Sequence, residues 1–194
     1  MIAYLTGNFS YKSPALVHVE VNGVGYEVQI SLNTYSKIQD LSKGTLFTYL
    51  QIKEDAHTLY GFFDQAEKAM FVQLISISGV GAATARMMLS SLQPKEIVLA
   101  ISSGNSRQLE AIKGIGKKTA ERIVLELKDK VTGKQVENSN SPLINNTLEQ
   151  DALNALIALG IPRNAADNAI RKAQASVPSS ASLEILIKKA LQSI

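Results

Sequence analysis

The sequence predicts a multi-domain chain, β first and all-α after it. Three observations carry that prediction. Residues 1–64 show apolar and polar residues alternating at a two-residue period between turn signals. Downstream, a glycine-centred segment of thirteen residues occurs twice in helical surroundings, 35 positions apart. A polar stretch with Gly and Pro then precedes a last block of short helical patterns.

Within residues 1–64, Val17, Val19 and Val21 alternate with Leu16, His18 and Glu20. Asn22-Gly23 is a hairpin signal, and Gly23 to Ile30 reads as the returning strand. Ser42-Lys43-Gly44 opens a strand from Thr45 to Ile52. Lys53 to His57 is a polar turn, and Thr58 to Phe63 returns. Five or six short strands in this span predict a small barrel of the OB-fold type, with a small sandwich as the alternative.

Residues 65–133 read as helical. Asp64-Gln-Ala-Glu67 resembles a capping box, and Ala66, Met70, Phe71, Leu74 and Ile75 form an apolar stripe behind it. The first glycine segment follows, Ile77-Ser-Gly-Val-Gly-Ala-Ala-Thr-Ala-Arg-Met-Met-Leu89. Pro94 opens a helix with Ile97, Val98 and Ile101 apolar, and Ser103-Gly104-Asn105 breaks it. Leu109 and Ile112 belong to a short helix feeding the second copy, Ile112-Lys-Gly-Ile-Gly-Lys-Lys-Thr-Ala-Glu-Arg-Ile-Val124. The last helix carries Ala120, Ile123, Val124 and Leu127 inward, and ends at Lys130.

The duplicated segment has a chemistry. Gly79 and Gly81, and their counterparts Gly114 and Gly116, bracket one apolar residue and free the backbone for positive φ and close approach. Val80 and Ile115 would anchor each turn in the core. A glycine turn at a helix start leaves N–H groups unpaired beside the positive end of the dipole, which makes an anion site. Lys117 and Lys118 put two cations at that same end, a locally unfavourable arrangement unless an anion answers it. Thr84, Thr119 and Arg122 complete the set that would face nucleic-acid phosphates. Use of the turns for packing alone is the alternative.

Other chemistries fit less well. A dinucleotide fingerprint needs Gly or Ala where Thr84 and Thr119 stand, and needs a preceding strand. A P-loop around Gly116-Lys117 would need glycine at Ala111 and a hydroxyl at Lys118. There is no Cys, and His18 and His57 are far apart, so neither a metal site nor a cofactor is expected. No catalytic residue is singled out. A glycosylase would need an acid or lysine beyond the second turn, and a nuclease more carboxylates than Glu54-Asp55. A cytoplasmic chain without signal peptide or membrane span is expected.

Charge is uneven. Residues 1–64 hold four Lys/Arg against six Asp/Glu, and residues 65–133 hold ten against six. The excess of positive charge accompanies the glycine turns, as a phosphate-binding region requires. Residues 134–146 read as a flexible linker, the apolar period being lost from Val131 onward. Residues 147–194 read as three short helices. Thr147 caps the first, with Leu148, Ala152, Leu156 and Leu159 apolar and Gly160 ending it. Ala165 to Ala175 form the second. Pro178 breaks the chain before Leu183, Leu186, Ile187 and Leu191 of the third.

Three resemblances add to this reading. The pattern of the glycine segments resembles the helix-hairpin-helix motif. Leu156-Ile-Ala-Leu-Gly-Ile161 resembles the first helix and loop of ubiquitin-associated-type domains. The ordered set Gly23-Val-Gly-Tyr-Glu-Val, Glu54-Asp-Ala, Leu59-Tyr-Gly-Phe, Gly79-Val-Gly and Gly114-Ile-Gly-Lys-Lys-Thr-Ala-Glu-Arg resembles the RuvA family of bacterial Holliday-junction-binding proteins. That last resemblance covers the whole chain. It implies an OB-fold domain, a double helix-hairpin-helix domain and a tethered third domain. It implies a homotetramer, or an octamer of two, holding open four-way junction DNA in recombination and DNA repair. It implies a RuvB-type hexameric ATPase as partner, with a RuvC-type junction nuclease as a further one. Glu54 and Asp55 map onto the family's acidic pin. In the last domain the apolar Leu156, Leu159 and Ile161 are candidates for the motor contact, with core packing the expected job of Leu156. Where many members carry Pro-Lys, this chain has Ala82-Ala83, which removes one phosphate-pairing lysine. Lys113 and Arg86 are the candidates to replace it.

Overall fold

The computed structural model describes residues 1–135, 146–174 and 181–193. The chain divides into two compact units, Met1–Asn138 and Ser139–Ile194.

The first unit begins with a closed five-stranded barrel in the order β1-β2-β3-β5-β4, the OB-type arrangement expected. Its strands are β1 (Tyr4–Ser13), β2 (Leu16–Val21), β3 (Val24–Ile30), β4 (Lys43–Ile52) and β5 (His57–Phe62). The β2–β3 turn is two residues long, with Val21 paired to Val24. Asn22 at φ 50° and Gly23 at φ 84° both take positive φ, the type I′ geometry that suits the right-handed strand twist. Inward positions bury Leu5, Phe9, Val17, Val19, Val28, Ile30, Leu46 and Leu59. Helix α1 (Leu32–Ile38) joins β3 to β4 and plugs this core with Ile38. It adds to the sequence reading, which had strands alone here; seven residues are too few to show a helical period.

Helices α2 (Gln65–Ile75), α3 (Ala82–Ser91), α4 (Pro94–Ser102), α5 (Ser106–Glu110) and α6 (Lys117–Gln135) follow and share one core. Helix α6 continues through residues 131–135, so the expected end at Lys130 is too early and the assigned linker begins inside the helix. Residues 136–145 of that linker lie outside the described residues.

Asp64 caps α2 as expected, accepting the Glu67 N–H at 2.9 Å. The rest of the capping box is replaced. Glu67 is fully buried while Ala66 is exposed, so the charged residue takes the inward position expected of the apolar one. The Glu67 carboxylate accepts hydrogen bonds from the hydroxyls of Ser31 and Thr34, the latter at 2.7 Å. Each hydroxyl in turn accepts a backbone N–H, from Thr34 and from Phe63, both at 3.0 Å. Beside this network, Phe71 of α2 packs among Tyr49, Tyr60 and Phe62 of the barrel, with centroids 4.9–5.5 Å away. Asn33 of α1 donates to the carbonyls of Leu89 and Leu92 at the end of α3. Barrel and helices are therefore joined by buried contacts.

The second unit holds α7 (Asn146–Ala158), α8 (Arg163–Gln174) and α9 (Leu183–Leu191). Its core is Ala152, Leu153, Leu156, Ala166, Ala169, Ile170, Ala173, Leu186 and Ala190. Helix α7 starts at Asn146, so Thr147 lies within it, not at its cap. Gly160 at φ 91° ends it. Its N–H donates to Ile157 and that of Ile161 to Leu156, the paired bonds of a Schellman close. The expected Pro178 break lies outside the described residues.

Burial pushes the Glu67 carboxyl above its ordinary range, against the hydroxyls of Ser31 and Thr34 that favour its ionised form. The fold thus binds that proton more tightly than the unfolded chain does. Its contribution to stability is complete below the ordinary carboxylate range and is lost as pH rises through the raised value. Thermal melts of the wild type and Glu67→Gln from about pH 4 to 8 should show the wild type gaining on the variant as pH falls. Parallel curves would contradict this.

Candidate nucleic-acid interface

Each glycine segment folds as a turn entering a helix. In the first, the Val80 N–H donates to Ile77 at 3.0 Å; in the second, the Ile115 N–H donates to Ile112 at 3.1 Å. Gly79 and Gly114, the third residues of these turns, have φ 91° and 92°. Asn22 is the one non-glycine residue with positive φ among the described residues. Ser78 and Lys113 therefore have negative φ, and both turns are type II, which requires positive φ at the third position alone. Val80 and Ile115 are buried in the common core and hold the turns down.

The second glycine of each pair differs from the expectation that both use positive φ. Gly81 sits at φ −81° and ψ 166°, an ordinary extended conformation, and caps α3. Gly116 precedes α6, whose Ala120 N–H bonds its carbonyl at 2.9 Å. A Cβ added to Gly81 or Gly116 would meet no atom within 4 Å. Neither strain nor internal packing requires glycine at these two positions. What a side chain there would obstruct is approach from outside.

The electrostatics of the two copies differ. Neither α3 nor α6 has an acidic residue in its first turn. Lys113, Lys117 and Lys118 are exposed around the second turn and make no ion pair among the described residues. The first copy has Ala82 buried and Ala83 exposed in place of those lysines. Thr84 and Thr119 are half-buried on the opening turns of α3 and α6.

Two arginines make hydrogen bonds to distant parts of the fold. The Arg86 guanidinium donates to the Ala15 carbonyl at 3.0 Å and to the Gln29 side chain. It is committed to the barrel, which leaves Lys113 as the remaining candidate for the missing lysine. Arg122 donates to the Ser78 carbonyl at 3.2 Å, so a residue of the second segment holds the turn of the first. Sequence reasoning missed this contact, since nothing in either segment marks a partner 44 positions away.

The whole chain can be set beside known proteins. Residues 1–61 match the RuvA N terminal domain, residues 71–129 the SAM-like helix-hairpin-helix tandem, and residues 147–194 the RuvA C-terminal domain. A protein of Christiangramia forsetii described as Holliday junction branch migration complex subunit RuvA is 45% identical over 194 residues, the full length of both chains. One of Flavobacterium psychrophilum with the same description is also 45% identical over the full length of both. One of Bacteroides fragilis is 42% identical, over 97% of this chain and all of the relative.

The chain belongs to the RuvA family.

Glu54 and Asp55, expected as an acidic pin, sit at the tip of the β4–β5 hairpin. The Lys53 backbone N–H donates to the Ala56 carbonyl at 2.9 Å and closes that tip. Both carboxylates are exposed, and neither makes an ion pair or hydrogen bond among the described residues. In the separate C-terminal unit, Leu159 is 64% exposed just before the Gly160 close, whereas Ile161 packs partly against the core. Among the described residues no helix is long and apolar enough to cross a membrane, and no cluster of three His, Asp or Glu is placed to hold a metal.

The open space at Gly81 and Gly116 makes a sharp expectation. Gly81→Ala with Gly116→Ala should keep the fold, each change costing less than about 1 kcal/mol in thermal melting. The same variant should bind four-way junction DNA on the order of tenfold more weakly, because the added methyls hold phosphates off the N–H groups. Undiminished binding in gel shifts would remove the phosphate role of these turns.

Proposed function

We propose that this chain is a non-catalytic scaffold that holds four-way junction DNA open by its phosphates and recruits a RuvB-type hexameric ATPase for branch migration. The observation that carries the reading is the pair of matched type II turns, each entering a helix through a glycine with open space before it. Unpaired Lys117 and Lys118 beside the second turn supply the charge. Membership of the RuvA family supports it, the relatives being described as subunits of a Holliday junction branch migration complex. Recognition through backbone N–H groups and lysines reads phosphate position and junction shape, not base sequence.

A homotetramer would place four copies of the Glu54-Asp55 tip around one axis. Their unpaired carboxylates would repel phosphates at the crossover and discourage duplex from running through it. The tip thus lowers raw affinity and raises selectivity for a junction. Leu159, exposed at the end of α7, is the apolar residue best placed to meet the motor, while Leu156 is fully buried and serves the core.

One set of titrations against junction and plain duplex at two salt concentrations tests the DNA half of this reading. Lys117→Ala with Lys118→Ala should weaken junction binding and flatten its salt dependence, by about one log-log unit per lost contact in each protomer. Glu54→Gln with Asp55→Asn should bind duplex more tightly and leave junction binding equal or stronger. An unchanged salt slope in the first variant, or an unchanged junction-to-duplex ratio in the second, would refute the role assigned. For the motor half, Leu159→Asp should hold junctions normally yet fail to support ATP-driven branch migration. Full branch migration by that variant would place the docking surface elsewhere.

A further inference from the structure

Arg122 lies on α6, the helix of the second hairpin, yet its hydrogen bond goes to the first. Nη1 donates to the Ser78 carbonyl at 3.2 Å. Nε stands 3.7 Å from the Glu126 carboxylate one helical turn on, which steers the guanidinium. The side chain is half exposed. Its target is the central peptide of the first type II turn, the unit between Ser78 and Gly79.

That peptide is the one that matters. Type I and type II turns differ by a flip of the central peptide, and positive φ at Gly79 marks the type II state. In a planar trans peptide the C=O and the N–H point to opposite sides. A guanidinium that holds the Ser78 oxygen therefore also fixes the direction of the Gly79 N–H.

The second turn has no such clamp. The residue matched to Arg122 in the first segment is Met87, which carries no donor. No side chain bonds the Lys113 carbonyl among the described residues. The asymmetry follows the charges. The second turn has lysines to attract a phosphate, whereas the first, entering α3 through Ala82 and Ala83, has no lysine beside it. For that turn the orientation of the N–H groups decides binding.

We propose that Arg122 is a positioning residue for the first hairpin, holding the Ser78–Gly79 peptide so that the Gly79 N–H faces the phosphate. This rests on the phosphate-gripping function of the turns given above. A Cβ at Gly79 meets no atom within 4 Å, so Gly79→Ala keeps the packing while its positive φ disfavours the type II state. Gly114→Ala does the same to the second turn.

The test is a double-mutant cycle on the full chain, read as four-way junction affinity, with folding followed by thermal melting. Arg122→Gln should weaken binding on the order of tenfold. Its effect should largely vanish in the Gly79→Ala background and add in full to Gly114→Ala. Arg122→Met, which places there the residue of the matched position, serves as the second variant and should behave alike. Additivity with Gly79→Ala, or coupling to Gly114→Ala instead, would overturn the proposal and make Arg122 a phosphate contact of its own hairpin. Native affinity in both Arg122 variants, while the glycine changes weaken binding, would also overturn it. If neither glycine change weakened binding, the phosphate function of the turns would itself fall, and Arg122 would have nothing to position.

Discussion

A carboxylate held by hydroxyls, not by an ion pair, sits at the joint of this molecule. Glu67 is fully buried, and two hydroxyls stand in for water around it. Because Ser31 and Thr34 each spend a lone pair on a backbone N–H, their protons are directed toward the carboxylate. One side chain thereby ties the start of α1, the end of β5 and the first turn of α2. The Phe71 aromatic cluster seals the same face with apolar area. Removing either hydroxyl would leave a buried charge short of a partner, the costly case for a buried polar group. The tip of the β4–β5 hairpin and the glycine turns are thus carried by one unit and cannot drift independently.

Within that frame the two hairpins share a backbone and differ in chemistry. In each pair the first glycine satisfies the turn and the second leaves a door open. The first is demanded by φ, the second by clearance. The lysines that accompany the second copy are absent from the first, where Arg122 reaches across to the Ser78 carbonyl. The two copies share the turn geometry and differ in the side chains around it.

Much of this was legible in one dimension because the signals were local. Asn22-Gly23 specified a two-residue type I′ hairpin, and the repeat of Gly-apolar-Gly located both type II turns. Asp64, Pro94 and Gly160 marked helix ends through their own backbone chemistry. Helix α1 was missed because seven residues give less than two helical turns of pattern. The end of α6 was misplaced because Gly133 reads as a breaker yet is tolerated in a helix at modest cost.

The sequence by itself determined the order of folds, the two glycine turns, the free lysines and the exposed acidic tip. Each depends on residues adjacent in the chain, or on side chains that reach solvent without needing a partner. Only the tertiary structure decided the partners of charged groups. It buried Glu67 where Ala66 was expected, bound Arg86 to the barrel and turned Arg122 toward the opposite hairpin. The physical reason is that a charge in a folded chain seeks whichever oxygen or hydroxyl lies within about 3 Å, and sequence separation does not limit that choice.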